Sequence, residues 1–281
     1  MEKRFEISKK SNFNIEQIFD CGQCFRFNRV KEKEGVVCYE GVAFDKYIKL
    51  EQQNDRIIFY NTNLDEYNSI WHKFFDSDTN YEKISSEFHN DETLKKAYEY
   101  SSGIRILKQD RWEALCSFII SQNNNIPRIK GIIENMSQRF GKEIYRENER
   151  AYYSFPTATA LYEAGIDEIF ALKTGFRARY IYDAAKTVCE NPGFLDEVDK
   201  LCTPEAIDKL CSIKGVGNKV AACTLLFGFS RYDAFPVDVW VKRILDKYYP
   251  NGANAHLTGK YAGIAQQYLF YYERCMNNVF I

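Results

Sequence analysis

The sequence predicts an α+β chain, with a strand-rich amino-terminal domain over 1–105 and a helical domain over 106–281. Three observations carry that expectation. Apolar and polar residues alternate in CFRFNRV (24–30), in YIKLEQ (47–52) and, after the polar turn Gln52-Gln53-Asn54-Asp55, in RIIFYN (56–61). Period-two alternation puts every second side chain on one face, as in an antiparallel sheet covered on one side, so residues 1 to about 62 read as strands. The period then changes over 64–100, where Tyr67, Ile70, Trp71, Phe74 and Phe75, and later Tyr81, Ile84 and Phe88, fall at helical spacing. From Asp110 onward the apolar stripes are helical.

A chain of 281 residues exceeds one average domain and suggests two closely packed ones. With 45% hydrophobic and 16% aromatic residues it can bury a sizeable core. The formal net charge is -1, so no overall basic field marks a nucleic-acid partner, and a binder with this balance must gather its positive charge on one face. No apolar run approaches a membrane span, and the charged start MEKRFEISKK does not read as a signal peptide, so an intracellular, cytoplasmic protein is expected. The nine scattered cysteines suit reduced thiols. Cys21 and Cys24 form a C-x-x-C without a second pair, and read as small semi-buried residues beside a strand rather than as metal ligands.

The helical part opens on Asp110-Arg111-Trp112-Glu113, a capping box with an acceptor at the N-cap and Glu at N3. Trp112, Leu115, Cys116 and Ile119 form the stripe behind it, widened by Phe118 and Ile120, as expected of a central helix. It ends at Asn123-Asn124-Asn125. Asparagine tolerates left-handed backbone and carries both donor and acceptor, so the run reads either as a polar probe or as a simple C-cap and turn. Pro127 suits the first turn of the next helix, continued by Ile129, Ile132, Ile133 and Met136 to Phe140-Gly141. Over 155–189 two more helices are expected, with breaks at Gly165 and Thr174-Gly175. Phe176-Arg177-Ala178-Arg179-Tyr180 follows the second break and mixes rings with guanidinium groups. That mixture suits a wedge in a base stack, and equally a solvated basic turn.

The most informative stretch is 211–245, CSIKGVGNKVAACTLLFGFSRYDAFPVDVWVKRIL. Gly215 and Gly217, one residue apart, let the backbone turn tightly and approach a ligand closely. The amides of such a turn, continued by a helix start at Asn218-Lys219, form a ready phosphate site. Helical spacing puts Lys219 and Cys223 on one face. A second helix follows Pro236-Val237-Asp238, with Asp238 at the N-cap. In the last helix, about 260–274, Tyr261, Ile264, Ala265, Tyr268, Leu269 and Tyr272 make the expected buried stripe. Gln266, Phe270 and Glu273 share another face, which suits a stacked, edge-bonded nucleobase or an ordinary surface with one stray ring.

The GVGxK hairpin followed by PVD resembles the helix-hairpin-helix/Gly-Pro-Asp superfamily of DNA glycosylases, and within it the 8-oxoguanine DNA glycosylases. GQCFRF (22–27), SQNNNIPRI (121–129), GFRARY (175–180) and AQQYLF (265–270) extend the resemblance over nearly the whole chain. It implies an amino-terminal domain like the TATA-binding-protein half-fold, packed on a larger helix-hairpin-helix domain. It implies a bifunctional DNA repair enzyme that flips out and excises 8-oxoguanine opposite cytosine, then nicks the strand by β-elimination. The implied partner is double-stranded DNA containing an oxidised guanine; a monomer is expected, and the lack of a targeting segment suits the cytoplasm and nucleoid. Lys219 matches the nucleophile and Asp238 the catalytic aspartate. Gly22 matches the glycine whose carbonyl reads the oxidised base. Cys223 and Phe270 match the residues that sandwich that base, and Gln266 the one that bonds its Watson–Crick edge. Asn123 matches the residue that fills the vacated space, and Arg128 and Arg177 those that read the orphaned cytosine. Gly215 and Gly217 match the DNA-binding hairpin.

The sequence departs from the family at four places. Trp240 stands where a histidine near the phosphate is common, and Phe176 replaces a tyrosine wedge. Glu273 replaces an aspartate and Phe227 a methionine at the pocket wall. These changes bear on substrate preference and leave the nucleophile and the aspartate in place.

The chemistry fits the residue types. A base inside a duplex is out of reach, so it must be flipped out. Its departure develops positive charge on the sugar, which a carboxylate stabilises, while a neutral lysine amine can attack the anomeric carbon. Lys219 touching a phosphate and Asp238 merely capping its helix is the structural alternative. No cofactor is required; a structural cation on the backbone carbonyls near Cys211, Ile213 and Val216 is an expectation from the superfamily. The carboxyl end lacks a four-cysteine cluster, which disfavours the iron–sulfur branch. Two rival readings remain: a glycosylase for alkylated bases, which usually lacks the lysine, and a non-catalytic helix-hairpin-helix DNA-binding module.

Overall fold

The computed structural model describes residues 3–10, 12–30 and 35–277. The chain divides into two compact units that interleave along the sequence. The first comprises Met1–Gly41, Ile48–Lys108 and Ser230–Ile281, and the second Val42–Tyr47 and Gln109–Phe229.

The first unit is built on a five-stranded antiparallel sheet of order β1-β5-β4-β3-β2 among the described residues. Its strands are β1 (Arg4–Ser8), β2 (Phe27–Arg29), β3 (Val37–Ala43), β4 (Lys46–Gln52) and β5 (Arg56–Tyr60). The register sets Phe5 against Phe59 and Ile7 against Ile57. Of the first 62 residues, those from Ile15 to Asp20 are helical rather than extended, a correction to the sequence expectation. Asn14 starts that helix, its Oδ1 accepting from the amides of Glu16 at 3.0 Å and Gln17 at 3.3 Å. Helices Tyr81–Ser86 and Glu92–Ser101 follow, each started by an Asn or Asp side chain that accepts from the third amide.

A buried charge cluster explains why the chain's last stretch folds with its first. The Asp76 carboxylate, fully buried, accepts from Lys108 Nζ at 2.7 Å and from the hydroxyls of Thr79, Tyr81 and Tyr232 at 2.7–2.8 Å. Arg105, 2% exposed, donates to the carbonyls of Phe75 and Thr79 and lies 4.4 Å from the Tyr81 ring centroid. Removing one partner from such a set strands the others in a dry interior, so the cluster is costly to break.

Beside the Val42–Tyr47 end of the β3–β4 pair, the second unit is mainly helical, with a hairpin of β6 (Glu143–Glu147) and β7 (Arg150–Tyr153) that the sequence pattern did not signal. Helices Arg111–Ser121 and Asn218–Gly228 pack together, with the rings of Phe118 and Phe227 stacked at 5.2 Å. Asp110 caps the first through a 2.9 Å bond from the Glu113 amide. The expected breaks are present: Gly165 interrupts helix Ala158–Ile169 at φ 80°, and a wide turn over Phe170–Thr174 leads through Gly175 (φ 62°) to helix Arg177–Glu190. Cys21 and Cys24 are buried cysteines outside any disulfide rather than semi-buried ones. No helix among the described residues is long and apolar enough to cross a membrane.

Candidate functional site

In the second unit, helices Thr203–Cys211 and Asn218–Gly228 flank the glycine turn. Gly215 adopts φ +84°, and a Cβ there would stand 2.1–2.5 Å from the Tyr180 ring. Only glycine fits this position, for backbone and packing reasons together. The Val216 amide donates to the Ile213 carbonyl at 3.0 Å and closes the turn. Gly217 is the N-cap, Gly217 and Asn218 are exposed, and the first amides of the helix have no intrahelical partners.

Lys219, in the first turn of that helix, is half-buried. Its Nζ donates to Ser121 Oγ at 3.0 Å and lies 5.5 Å from the Phe118 ring centroid. The Ser121 hydroxyl itself donates to the Phe118 carbonyl at 2.8 Å. The amine is thus held by a neutral hydroxyl against an aromatic face. Cys223, one turn along, is buried.

The three asparagines after Ser121 do three separate jobs. Asn123 is exposed at φ 46°, the left-handed conformation that asparagine tolerates. Asn124 Nδ2 donates to the Ile120 carbonyl at 3.0 Å, tying off the helix end. Asn125 caps the next helix, its Oδ1 accepting from the Arg128 amide at 3.0 Å. The loop is braced by Arg177, 2% exposed, whose Nε donates to the Gln122 carbonyl at 2.8 Å and whose Nη2 donates to the carbonyls of Gln122 and Asn123. Its Nη1 donates to the Thr174 carbonyl at 3.2 Å. Burial, with Arg128 nearby, lowers the pKa of this guanidinium. Phe176 is 54% exposed and stacks on Arg177, while Arg128 is exposed and reaches the Lys173 carbonyl at 3.4 Å. Of the two arginines, Arg128 has the free surface; Arg177 is engaged with backbone. Gln122 also links the loop to the glycine turn, its Nε2 donating to the Gly215 carbonyl at 3.1 Å.

The first unit carries the remaining residues. Asp238 caps helix Val239–Tyr248, both bonds falling on Oδ1, from the amides of Trp240 at 2.9 Å and Val241 at 2.8 Å. Trp240 is half-buried beneath the Arg243 guanidinium. In helix Ala262–Met276 the expected stripe is corrected: Tyr261 and Tyr272 are half-exposed, whereas Gln266, Gln267 and Glu273 are buried. Gln266 Oε1 is buried without a protein partner. Phe270 is half-buried, with Arg274 5.2 Å from its ring centroid. The Glu273 carboxylate accepts from Lys247 Nζ at 2.9 Å, Tyr248 at 2.8 Å and Asn277 at 3.0 Å. Burial works to raise its pKa, but these bonds together hold it below the usual carboxylate range. Glu273 therefore ties helix Ala262–Met276 to helix Val239–Tyr248. Gly22, at φ 81°, lies in the loop between helix Ile15–Asp20 and β2.

The structure thus groups Lys219 with Cys223 and the hairpin glycines, and Asn123 with Arg128, Phe176 and Arg177. Sequence reasoning missed Ser121, Gln122 and Gln267. The first two sit inside the motif SQNNNIPRI, whose resemblance singled out only the asparagine and the arginine.

Comparison with known proteins identifies relatives of the whole chain. Residues 6–115 match the model for the 8-oxoguanine DNA glycosylase N-terminal domain, and residues 116–260 that for the HhH-GPD superfamily base excision DNA repair protein. The chain is 30% identical to the N-glycosylase/DNA lyase OGG1 of Arabidopsis thaliana, over 91% of this chain and 76% of that one. A Clostridium acetobutylicum 8-oxoguanine glycosylase/lyase, solved with double-stranded DNA containing cytosine opposite 8-oxoG, is 36% identical with a TM-score of 0.88, covering 99% of this chain and 100% of its own. A 3-methyladenine DNA glycosylase from Archaeoglobus fulgidus shares the fold, with a TM-score of 0.72 at 23% identity over 96% of this chain and 98% of its own.

Proposed function

This chain belongs to the HhH-GPD superfamily of base excision DNA repair proteins, and from that premise we propose that it is an 8-oxoguanine DNA N-glycosylase with lyase activity at the resulting site. The substrate is double-stranded DNA carrying 8-oxoguanine opposite cytosine. The observation that carries the chemistry is the Lys219 amine, at a helix N-terminus that faces solvent and held by the uncharged Ser121 hydroxyl.

Lys219 Nζ, in its neutral form, attacks C1′ of the flipped nucleotide, and the C1′–base bond breaks as the base leaves with the bonding pair. Positive charge growing on the sugar is stabilised by the Asp238 carboxylate, whose Oδ1 is fixed by two amides. Ring opening then gives a C1′ imine with Lys219. Loss of a C2′ proton expels the 3′ phosphate and nicks the strand, and water hydrolyses the imine to free the enzyme.

Gly22 and Gln266 supply recognition. 8-Oxoguanine carries an N7–H where guanine has a lone pair, so a fixed Gly22 carbonyl accepts from the first and repels the second. The unpartnered Gln266 Oε1 supports a role at the base edge, since a buried acceptor without a protein partner is suited to a ligand donor. Cys223 and Phe270 flank the base, Asn123 fills the vacated stack, Phe176 wedges, and Arg128 reads the orphaned cytosine. Gly215, Gly217 and Trp240 approach the phosphate backbone. The enzyme works as a monomer inside the cell, with the genome. Borohydride trapping tests the lysine mechanism: reduction must leave a covalent protein–DNA adduct on lesion-bearing duplex, and failure on every lesion tried would sink it.

A further inference from the structure

The loop that carries Gly22 is tied down on both sides, within the first unit. Behind it, the Cys21 carbonyl accepts from Gln267 Nε2 at 2.6 Å, and the Cys21 thiol donates to the Ile18 carbonyl at 3.2 Å. Ahead of it, Gln23 Nε2 donates to the carbonyls of Ile18 at 3.0 Å and Arg105 at 2.8 Å, and Gln23 Oε1 accepts from the Leu107 amide at 2.8 Å. Cys21, Gln23 and Gln267 are each no more than 2% exposed. Gln267 is the immediate neighbour of Gln266 on helix Ala262–Met276. Successive helical residues point about 100° apart, so the two amides of this pair face different ways. Gln267 bonds the Gly22 loop; Gln266 keeps a buried, unpartnered oxygen.

We propose that Gln267 is a specificity-determining positioning residue, fixing the Gly22 carbonyl relative to the helix that carries Gln266 and Phe270. The inference rests on the reading of Gly22 and Gln266 given above. Repulsion between two lone pairs rejects guanine only if the carbonyl cannot retreat. Gly22 has no side chain of its own to anchor it, and its left-handed backbone is a conformation glycine leaves readily. The anchoring must come from its neighbours. Gln23 fixes the downstream side to the 105–107 segment, and Gln267 links the upstream side to the helix bearing the edge-reading amide. Without the Gln267 donor the Cys21 carbonyl is buried and unsatisfied, and it relaxes toward another donor, taking Gly22 with it.

The test uses Lys219→Gln as a non-reacting background, measuring Kd on duplexes with 8-oxoguanine or guanine opposite cytosine, and on a duplex with an abasic-site analogue. Adding Gln267→Met keeps the side chain's length but removes its donor. The expected result is a fall of about tenfold in the 8-oxoguanine-to-guanine preference, the scale of one buried hydrogen bond, with abasic-site affinity unchanged. If the Met variant does not fold, Gln267→Ala, which leaves room for a water at Cys21, makes the same comparison and must lose less of the preference than one bond's worth. An unchanged preference, or equal loss on all three duplexes, overturns the proposal. A background protein that does not prefer 8-oxoguanine at all overturns the Gly22 reading first, and the proposal with it.

Discussion

Lys219 Nζ and Ser121 Oγ lie 3.0 Å apart, and the Ser121 hydroxyl proton is directed to the Phe118 carbonyl 2.8 Å away. With its proton so committed, Ser121 presents lone pairs to the amine. It thereby fixes the end of a four-carbon side chain that would otherwise sample many rotamers. Ser121→Ala is expected to lower the single-turnover excision rate about tenfold with little change in DNA affinity, since one neutral hydrogen bond orients the amine. Ser121→Thr, which keeps the hydroxyl, restores most of the rate. Equal loss in both variants would point to packing instead.

The two hairpin glycines differ in what they tolerate. Gly215→Ala puts a Cβ within 2.1–2.5 Å of the Tyr180 ring at φ +84°, so turn and ring must both shift. Strain and overpacking together cost on the order of 2–4 kcal/mol, and a lowered Tm should accompany weaker binding to duplexes with or without a lesion. Gly217 has φ −102° and open space around its would-be Cβ, so Gly217→Ala leaves Tm nearly unchanged. Thermal melting alongside fluorescence anisotropy separates the two.

Arg177 holds the asparagine loop through the carbonyls of Gln122, Asn123 and Thr174. Arg177→Ala leaves these acceptors without their charged donor, a loss of about 2 kcal/mol or more. Faster amide exchange over 122–125 should reveal the freed loop. Arg177→Lys recovers only part, because one ammonium does not reproduce a planar fork.

Acid sensitivity follows from Glu273. Its carboxyl is held below the 4.5 of the unperturbed group, so the ionised form contributes stability that is present above about pH 4.5 and lost as pH falls through the lower folded-state value. Glu273→Gln should flatten the fall in Tm over that acidic window. Between pH 6 and 8 the difference between the two proteins should stay constant.

What was readable beforehand is what local chemistry decides. Asp110 and Asp238 were identified as N-caps because one side chain and the next three amides suffice. Gly215 and Gly217 stood out for the same reason. Strand β3, VCYEGVA, lies inside the stretch expected to be strands but shows no alternation of its own, because six of its seven residues are buried. The helix Ile15–Asp20 is only six residues long, too short for a period to show. Gln267 was unreadable for a different reason: helical spacing groups Gln266 with Phe270 but gives Gln267 no partner, and its partner Cys21 lies 246 positions away. Glu273 was legible as to spacing but not as to partner, since Lys247 and Tyr248 belong to another helix.

The central claim is that Lys219 is the nucleophile of an 8-oxoguanine glycosylase/lyase. The direct measurement is cleavage of an end-labelled duplex with one 8-oxoguanine opposite cytosine, by the natural protein and by Lys219→Gln, beside the same duplex with guanine. The natural protein is expected to give base loss and a nick on the lesion strand alone, and Lys219→Gln, which still binds, to give neither. Base loss at an undiminished rate from Lys219→Gln, or none from a natural protein that binds the lesion tightly, would contradict it.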